Sequence, residues 1–288
     1  MPNTPPVALV TGSSRGAGRG IAIALGAHGC TVYVTGRSKK SGDHPLPGTI
    51  HETAAAVTAA GGKGIAVACD HSDDAQVAAL FEQIQAEEGR LDILVNNAAA
   101  VYDELTLPGN FWEKPLKMSD MIDVGIRSSY VASWHAAPLM IAQGNGLIVF
   151  TSASGAVHYS LGPAYGAHKA SLDKMAFDMD VDFKHAQAPV NAVSIWMGAV
   201  LTERLKTVID SDREKFGALE AMSESPEFTG HIIWALFNDP DLASKSGSTF
   251  IGAELAKGYG TLDGGREATS YRDTHGVVPF TYAPIVIR

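Results

Sequence analysis

Cysteine is scarce, charge is sparse, and no long apolar run occurs. The 288 residues hold only Cys30 and Cys69, too few for a disulfide framework or a thiolate metal site. None of the ten histidines shows a His-x-x-x-His or Cys-rich pattern with a supporting acid, so no metal is expected. His158 and His168 read as neutral surface or hydrogen-bonded residues. Charged residues make up 18%, and 22 Lys+Arg stand against 31 Asp+Glu for a net charge of −9. Such a surface repels phosphate backbones and anionic lipid heads. General nucleic-acid binding is excluded, while a local basic spot for one small phosphate stays open. Gly, Ser, His or charge breaks every apolar run before the roughly 18 residues of a membrane span. Met1-Pro2-Asn3-Thr4-Pro5-Pro6 lacks a basic-then-apolar leader signal. A cytoplasmic chain off the membrane is the expectation.

Hydrophobic residues amount to 45%, with 30 glycines, a balance that closes a sizeable core. Short β-branched runs at 7–10, 31–34, 64–68, 91–95, 147–150, 190–195 and 248–251 read as strands. Ala-rich or amphipathic stretches at 21–29, 50–60, 75–88, about 119–143 and 163–185 read as helices between them. Strand and helix alternate at the spacing of right-handed βαβ crossovers, which implies a parallel sheet. One domain over residues 1–288 is expected, with insertions at 38–48, 102–117 and 203–225 and a tail at 274–288.

Directly after the first strand comes Thr11-Gly12-Ser13-Ser14-Arg15-Gly16-Ala17-Gly18. Glycines there permit a tight turn, close backbone approach, and a helix N-terminus packed near the sheet. A pyrophosphate suits that helix end. The fold class that follows is α/β, a single Rossmann-type doubly wound parallel sheet of about seven strands with helices on both faces.

This loop resembles that of the short-chain dehydrogenase/reductase family, spaced Thr-Gly, three residues, Gly, one residue, Gly. Asp70 stands where the family holds the adenine ring, and Asn96-Asn97-Ala98-Ala99 resembles its Asn-Asn-Ala-Gly element. Ser152, Tyr165 and Lys169 keep its catalytic spacings of 13 and 4. Together these span residues 6 to 265, and their joint occurrence is far more specific than any one motif. The resemblance implies Ser152, Tyr165 and Lys169 as catalytic residues. It implies Gly12, Ser14, Arg15, Gly16, Gly18, Arg37, Asp70, Asn97, Ala98, Tyr165, Lys169, Gly198, Val200 and Thr202 as cofactor-binding residues.

The second strand ends Val34-Thr35-Gly36-Arg37, without the acid that would accept from a free ribose 2′-hydroxyl. Arg37 and Arg15 instead offer guanidinium forks to a 2′-phosphate, so NADP(H) is expected over NAD(H). Hydride transfer to a carbonyl leaves negative charge on oxygen and demands a proton donor. Tyr165 and Lys169, four apart on a helix, lie on one face. The ammonium is expected to lower the phenol's pKa, and Ser152 to hold the substrate oxygen. The expected substrate is a small carbonyl or alcohol.

Two departures from the family pattern stand out. Met197 replaces the usual Pro before Gly198, which leaves a less rigid approach to the backbone and Thr202 contacts. Gly125 falls where the family has an Asn that holds a relay water. Its reason is either close helix packing or room for a water held by backbone. Gly125, Phe111-Trp112-Glu113-Lys114-Pro115 and Glu224-Ser225-Pro226-Glu227-Phe228 resemble one subgroup of the family. Phe111, Trp112, Leu201 and Leu205 either line a pocket for an apolar or aromatic carbonyl compound or close the core or a subunit contact. A homodimer or homotetramer is expected, with the apolar tail on a neighbouring subunit or over the cleft. An alternative reading, favoured by Gly125 and Met197, is an NADP(H)-binding sensor or scaffold with weakened turnover.

Overall fold

A computed structural model describes residues 4–287. Seven strands form one sheet: β1 (Val7–Val10), β2 (Thr31–Gly36), β3 (Lys63–Ala68), β4 (Ile93–Asn96), β5 (Gly146–Ser152), β6 (Val190–Trp196) and β7 (Thr249–Ile251). All neighbours pair in parallel, in the order β3-β2-β1-β4-β5-β6-β7. The first three strands run outward from β1 and the later four from β4, so the switch point lies between β1 and β4. That is where doubly wound sheets place their ligands.

The helices are α1 (Gly16–Ala27), α2 (Ile50–Ala59), α3 (Asp74–Glu88), α4 (Ser128–Gln143), α5 (Pro163–His185), α6 (Glu203–Ser211), α7 (Arg213–Phe216), α8 (Ala218–Met222), α9 (Phe228–Phe237), α10 (Leu242–Lys245), α11 (Gly252–Tyr259) and α12 (Tyr271–His275). Period-two alternation sorts each buried strand onto two cores. Ala8, Val10, Leu147 and Val149 face Ile21, Leu25, Val57 and Ile232 of α1, α2 and α9. Val7, Leu9, Ile148 and Phe150 face Leu80, Ile84, Met140 and Leu172 of α3, α4 and α5. Thr49 caps α2 by accepting from Glu52 N at 3.0 Å, which fixes the chain's return after the 38–48 insertion.

The helix expected at about 119–143 is broken. Leu116–Ser119 is a 3-10 turn and Ile122–Arg127 a π turn, with non-helical backbone at Val124 and Gly125, before α4 begins at Ser128. Gly125 has φ +154°, a conformation that glycine alone adopts freely. The apolar periodicity on either side hid that break. The first helix also starts earlier than its apolar pattern, because Gly16 and Ala17 already belong to it.

Candidate active site

The loops at the carboxyl ends of the strands build the site. Gly12 and Gly16 have φ of +64° and +59°, and a Cβ at Gly12 would stand 2.8 Å from Ala98 Cα. Asn97 and Ala98 are fastened under this loop. Their amides donate to Thr11 Oγ1 at 2.9 and 3.0 Å, and Asn97 Nδ2 donates to Thr11 O and Gly12 O at 2.9 and 3.1 Å. A Cβ at Gly18 would run into Asn97. Thr202, the cap of α6, packs against Gly16 across the loop. The structure thus unites Gly12, Gly16, Gly18, Asn97, Ala98 and Thr202.

Glu203, which the sequence reading missed, places Oε2 2.9 Å from the Gly16 N–H. A carboxylate on the first turn of α1 shows that this N-terminus accepts an anion, as a cofactor phosphate requires. The donor set and the close glycine cradle fit a dinucleotide.

Arg15, beside the glycine loop, fastens the 38–48 insertion. Its Nη2 donates to Ser38 Oγ and Gly48 O at 2.8 Å each, and its Nε to Pro47 O at 3.1 Å. Ser14 is buried beneath, its carbonyl against Gly48. Arg37 is 71% exposed and lies 3.7 Å from Asp70. Burial opposes ionisation of Asp70, yet two bonds from Ser72 and the charge of Arg37 hold it below the usual carboxylate range. Arg204 and Arg37 also lie near Arg15 and His44, so positive charge gathers at this end.

Ser152 ends β5, and its hydroxyl donates to Lys169 O at 3.1 Å. Lys169 is buried; its Nζ donates to Thr151 O at 3.0 Å and lies 5.6 Å from the Tyr165 ring centroid. Burial pushes the ammonium down to about 8, with Asp173 pulling it up. The expected lowering of the phenol does not occur: burial, reinforced by Tyr271, pushes Tyr165 up to about 12. Tyr165 packs with Tyr102 on the apolar cluster Leu105, Met118 and Met121. Phe111 and Trp112, in the same insertion, pair edge to face and stay exposed, so they do not close the core. In the tail, Tyr282 packs on Phe177 of α5 at 5.0 Å.

Rigidity lost by Met197 returns through Glu224, a second missed residue. Gly198 N donates to Glu224 Oε2 at 3.0 Å, Glu224 N to Ala199 O at 2.7 Å, and Leu201 N to Glu224 O at 2.9 Å, so Val200 bridges Glu224. Burial, with Asp263 nearby, pushes this carboxyl up to about 7. The space at Gly125 belongs to His168: a Cβ there would fall 2.8 Å from His168 Nε2. His168 is buried rather than on the surface, and burial beside Lys169 keeps it neutral, near 2. Asp173, also missed, sits one turn beyond Lys169. No group of three or more His, Cys, Asp or Glu suited to a metal occurs among the described residues. Likewise, no helix among them is long and apolar enough to cross a membrane.

A parallel seven-stranded sheet with a glycine cradle at its switch point and Ser, Tyr and Lys on β5 and α5 defines a nicotinamide-dependent oxidoreductase. The short chain dehydrogenase profile matches residues 6–213, and the chain belongs to that family. It is 38% identical over 284 residues to human Dehydrogenase/reductase SDR family member 1, covering 94% of this chain and 88% of that protein. A short chain dehydrogenase from Mycobacterium thermoresistibile superposes with a TM-score of 0.74 at 25% identity, covering 92% of this chain and 94% of the other. A 3-oxoacyl-[acyl-carrier protein] reductase from Brucella melitensis, solved in complex with NAD, superposes at 0.71 with 24% identity, covering 87% of this chain and 96% of that one.

Proposed function

We propose that the protein transfers hydride between NADP(H) and an apolar or aromatic carbonyl compound or its secondary alcohol. The observation that carries this reading is the Tyr165 phenol set between the buried Lys169 ammonium and the apolar cluster Leu105, Met118 and Met121. A proton donor on an oily wall suits a carbonyl oxygen whose substituents are apolar.

Gly12, Ser14, Gly16, Gly18, Asn97, Ala98, Gly198, Val200 and Thr202 would hold the cofactor, with Asp70 at its adenine. When bound, the cofactor supplies the hydride. Ser152 hydrogen-bonds the substrate oxygen. Tyr165 gives that oxygen its proton during reduction and recovers it during oxidation. The Lys169 ammonium, held near the phenol ring by Thr151 O, stabilises the phenolate that remains. Water is kept from the donor by Met118, Met121 and Tyr102. Preference for NADP(H) rests on Arg37 and the surrounding positive charge, with no acid at Gly36. Arg15 contributes by fixing the 38–48 insertion and by its charge.

The insertions at 102–117 and 203–225 border substrate access within one domain. Tyr130, Trp134 and Ile141 leave an apolar stripe exposed on α4, which supports assembly as a homodimer or homotetramer. A sensor or scaffold without turnover gains no support, since such a protein needs no Tyr set beside a buried Lys. The test is a panel of aromatic and aliphatic carbonyl compounds followed by NADPH absorbance. Oxidation of NADPH by aromatic members supports the reading; no turnover of any member, with NADPH bound, contradicts it.

A further inference from the structure

Asp173 is a carboxylate only 3% exposed, on α5 one helical turn after Lys169. Ser194 Oγ donates to its Oδ1 at 2.6 Å and Trp196 Nε1 to its Oδ2 at 2.8 Å. Trp196 is the register partner of Ser152 across β5 and β6. The Ser152 hydroxyl itself lies between the Lys169 carbonyl and this carboxylate. One side chain therefore binds the end of β6, the end of β5 and the catalytic helix. Burial pushes this carboxyl up, while the bonds from Ser194, Trp196 and Ser152 and the charge of Lys169 pull it down; a buried carboxylate keeps its charge only with such bonds and a compensating cation.

We propose that Asp173 is a positioning residue of the catalytic site, tying Ser152 and the end of β6 to α5 and supplying the negative charge that keeps the buried Lys169 protonated. This rests on the reading of Lys169 as the partner of Tyr165. Groups facing the carboxylate among the described residues are few. Its own helix brings Lys169 and Lys174, and the tail brings Tyr282, whose phenol Asp173 helps to push up. β5 and β6 bring only the neutral Ser152, Ser194 and Trp196. A cavity of about 360 Å³ adjoins it, walled by Val157, Ala170, Phe280 and Tyr282. Among the described residues Lys169 is the cation whose charge acts on this carboxyl, and Asp173 in turn acts on Lys169.

Asp173→Asn separates charge from shape. Its amide oxygen can accept from Trp196 while its NH₂ donates to Ser194, so both bonds survive. The experiment follows the Lys169 titration by NMR in protein carrying ¹³C-labelled lysine, with and without NADP⁺, assigned with Lys169→Met. In the parent the midpoint is expected near 8. In Asp173→Asn it should fall by about one pH unit or more, the effect of removing a nearby opposite charge. Turnover of phenanthrenequinone, an aromatic carbonyl probe, should lose its high-pH limb by the same displacement. Ser194→Ala and Trp196→Phe each remove one bond and keep the charge, so they should leave the midpoint in place; Asp173→Glu should keep it too, which covers poor folding of the Asn form. An Asn variant with the parent midpoint, or Ser194→Ala and Trp196→Phe shifting it equally, overturns the proposal. Failure of the Tyr165 reading would show separately, as turnover surviving in Tyr165→Phe.

Discussion

Glu203 accepts a 2.9 Å hydrogen bond from the Gly16 N–H, so the first turn of α1 already holds a negative charge where a cofactor phosphate would come. Arg204, the next residue, pairs with Asp103 and donates to Val101 O. α6 thereby touches both the glycine loop and the 102–117 insertion.

Glu203→Gln should tighten NADPH binding. A charge at a helix N-terminus is worth about 0.3–1 kcal/mol, so removing the competing carboxylate corresponds to about a two- to fivefold lower Kd. Fluorescence titration measures it. Weaker binding in the Gln form would show that the carboxylate assists the cofactor.

Arg37→Ala should erase most of the proposed NADPH preference. One charge-assisted bond contributes about 1.5–3 kcal/mol, or about one to two decades in Kd, with NADH affinity little changed. Equal affinity of the parent for both cofactors would contradict the assignment.

Gly125→Ala should destabilise the fold by about 2–5 kcal/mol, combining a positive φ with overpacking against His168. Thermal unfolding reads the loss. The double variant with His168→Ala should recover the overpacking part and not the backbone part. An Ala variant as stable as the parent would mean that the turn relaxes freely.

The sheet, its order of elements and the glycine cradle were legible because each rests on local pattern: apolar runs, loop glycines and fixed spacing. Gly125 shows where that fails. The space beside it is filled by His168 of α5, and no periodicity records such a contact. Asp173, Glu203 and Glu224 were missed for the same reason, since each gains meaning from a partner far along the chain, at Ser194 and Trp196, at Gly16, or at Gly198. Of these only Asp173, one turn past Lys169, left a signal in the spacing. The upward shift of Tyr165 was hidden too, because it depends on burial and on Tyr271, far along the chain.

Stability should vary with pH through Glu224. Its folded carboxyl titrates near 7 against an ordinary 4.5, so the fold binds the extra proton. The associated stability is full below about 4.5 and is lost as pH rises through 7. Melting temperature should fall between pH 5 and 7.5 in the parent and less in Glu224→Gln, whose oxygen still accepts from Gly198. Identical pH dependence in the two would contradict the assignment.

In the proposed mechanism Tyr165 delivers the proton from a site built to hold a nicotinamide cofactor. Its most direct test is turnover of an accepted carbonyl by Tyr165→Phe, with NADPH affinity measured on the same protein. Deleting a positioned acid costs about two to four orders of magnitude in rate. The expected result is that loss in kcat with NADPH affinity within about threefold of the parent, well under the ~1.4 kcal/mol of a tenfold change. A Phe variant that keeps most of the parent turnover would show that Tyr165 is not the proton donor.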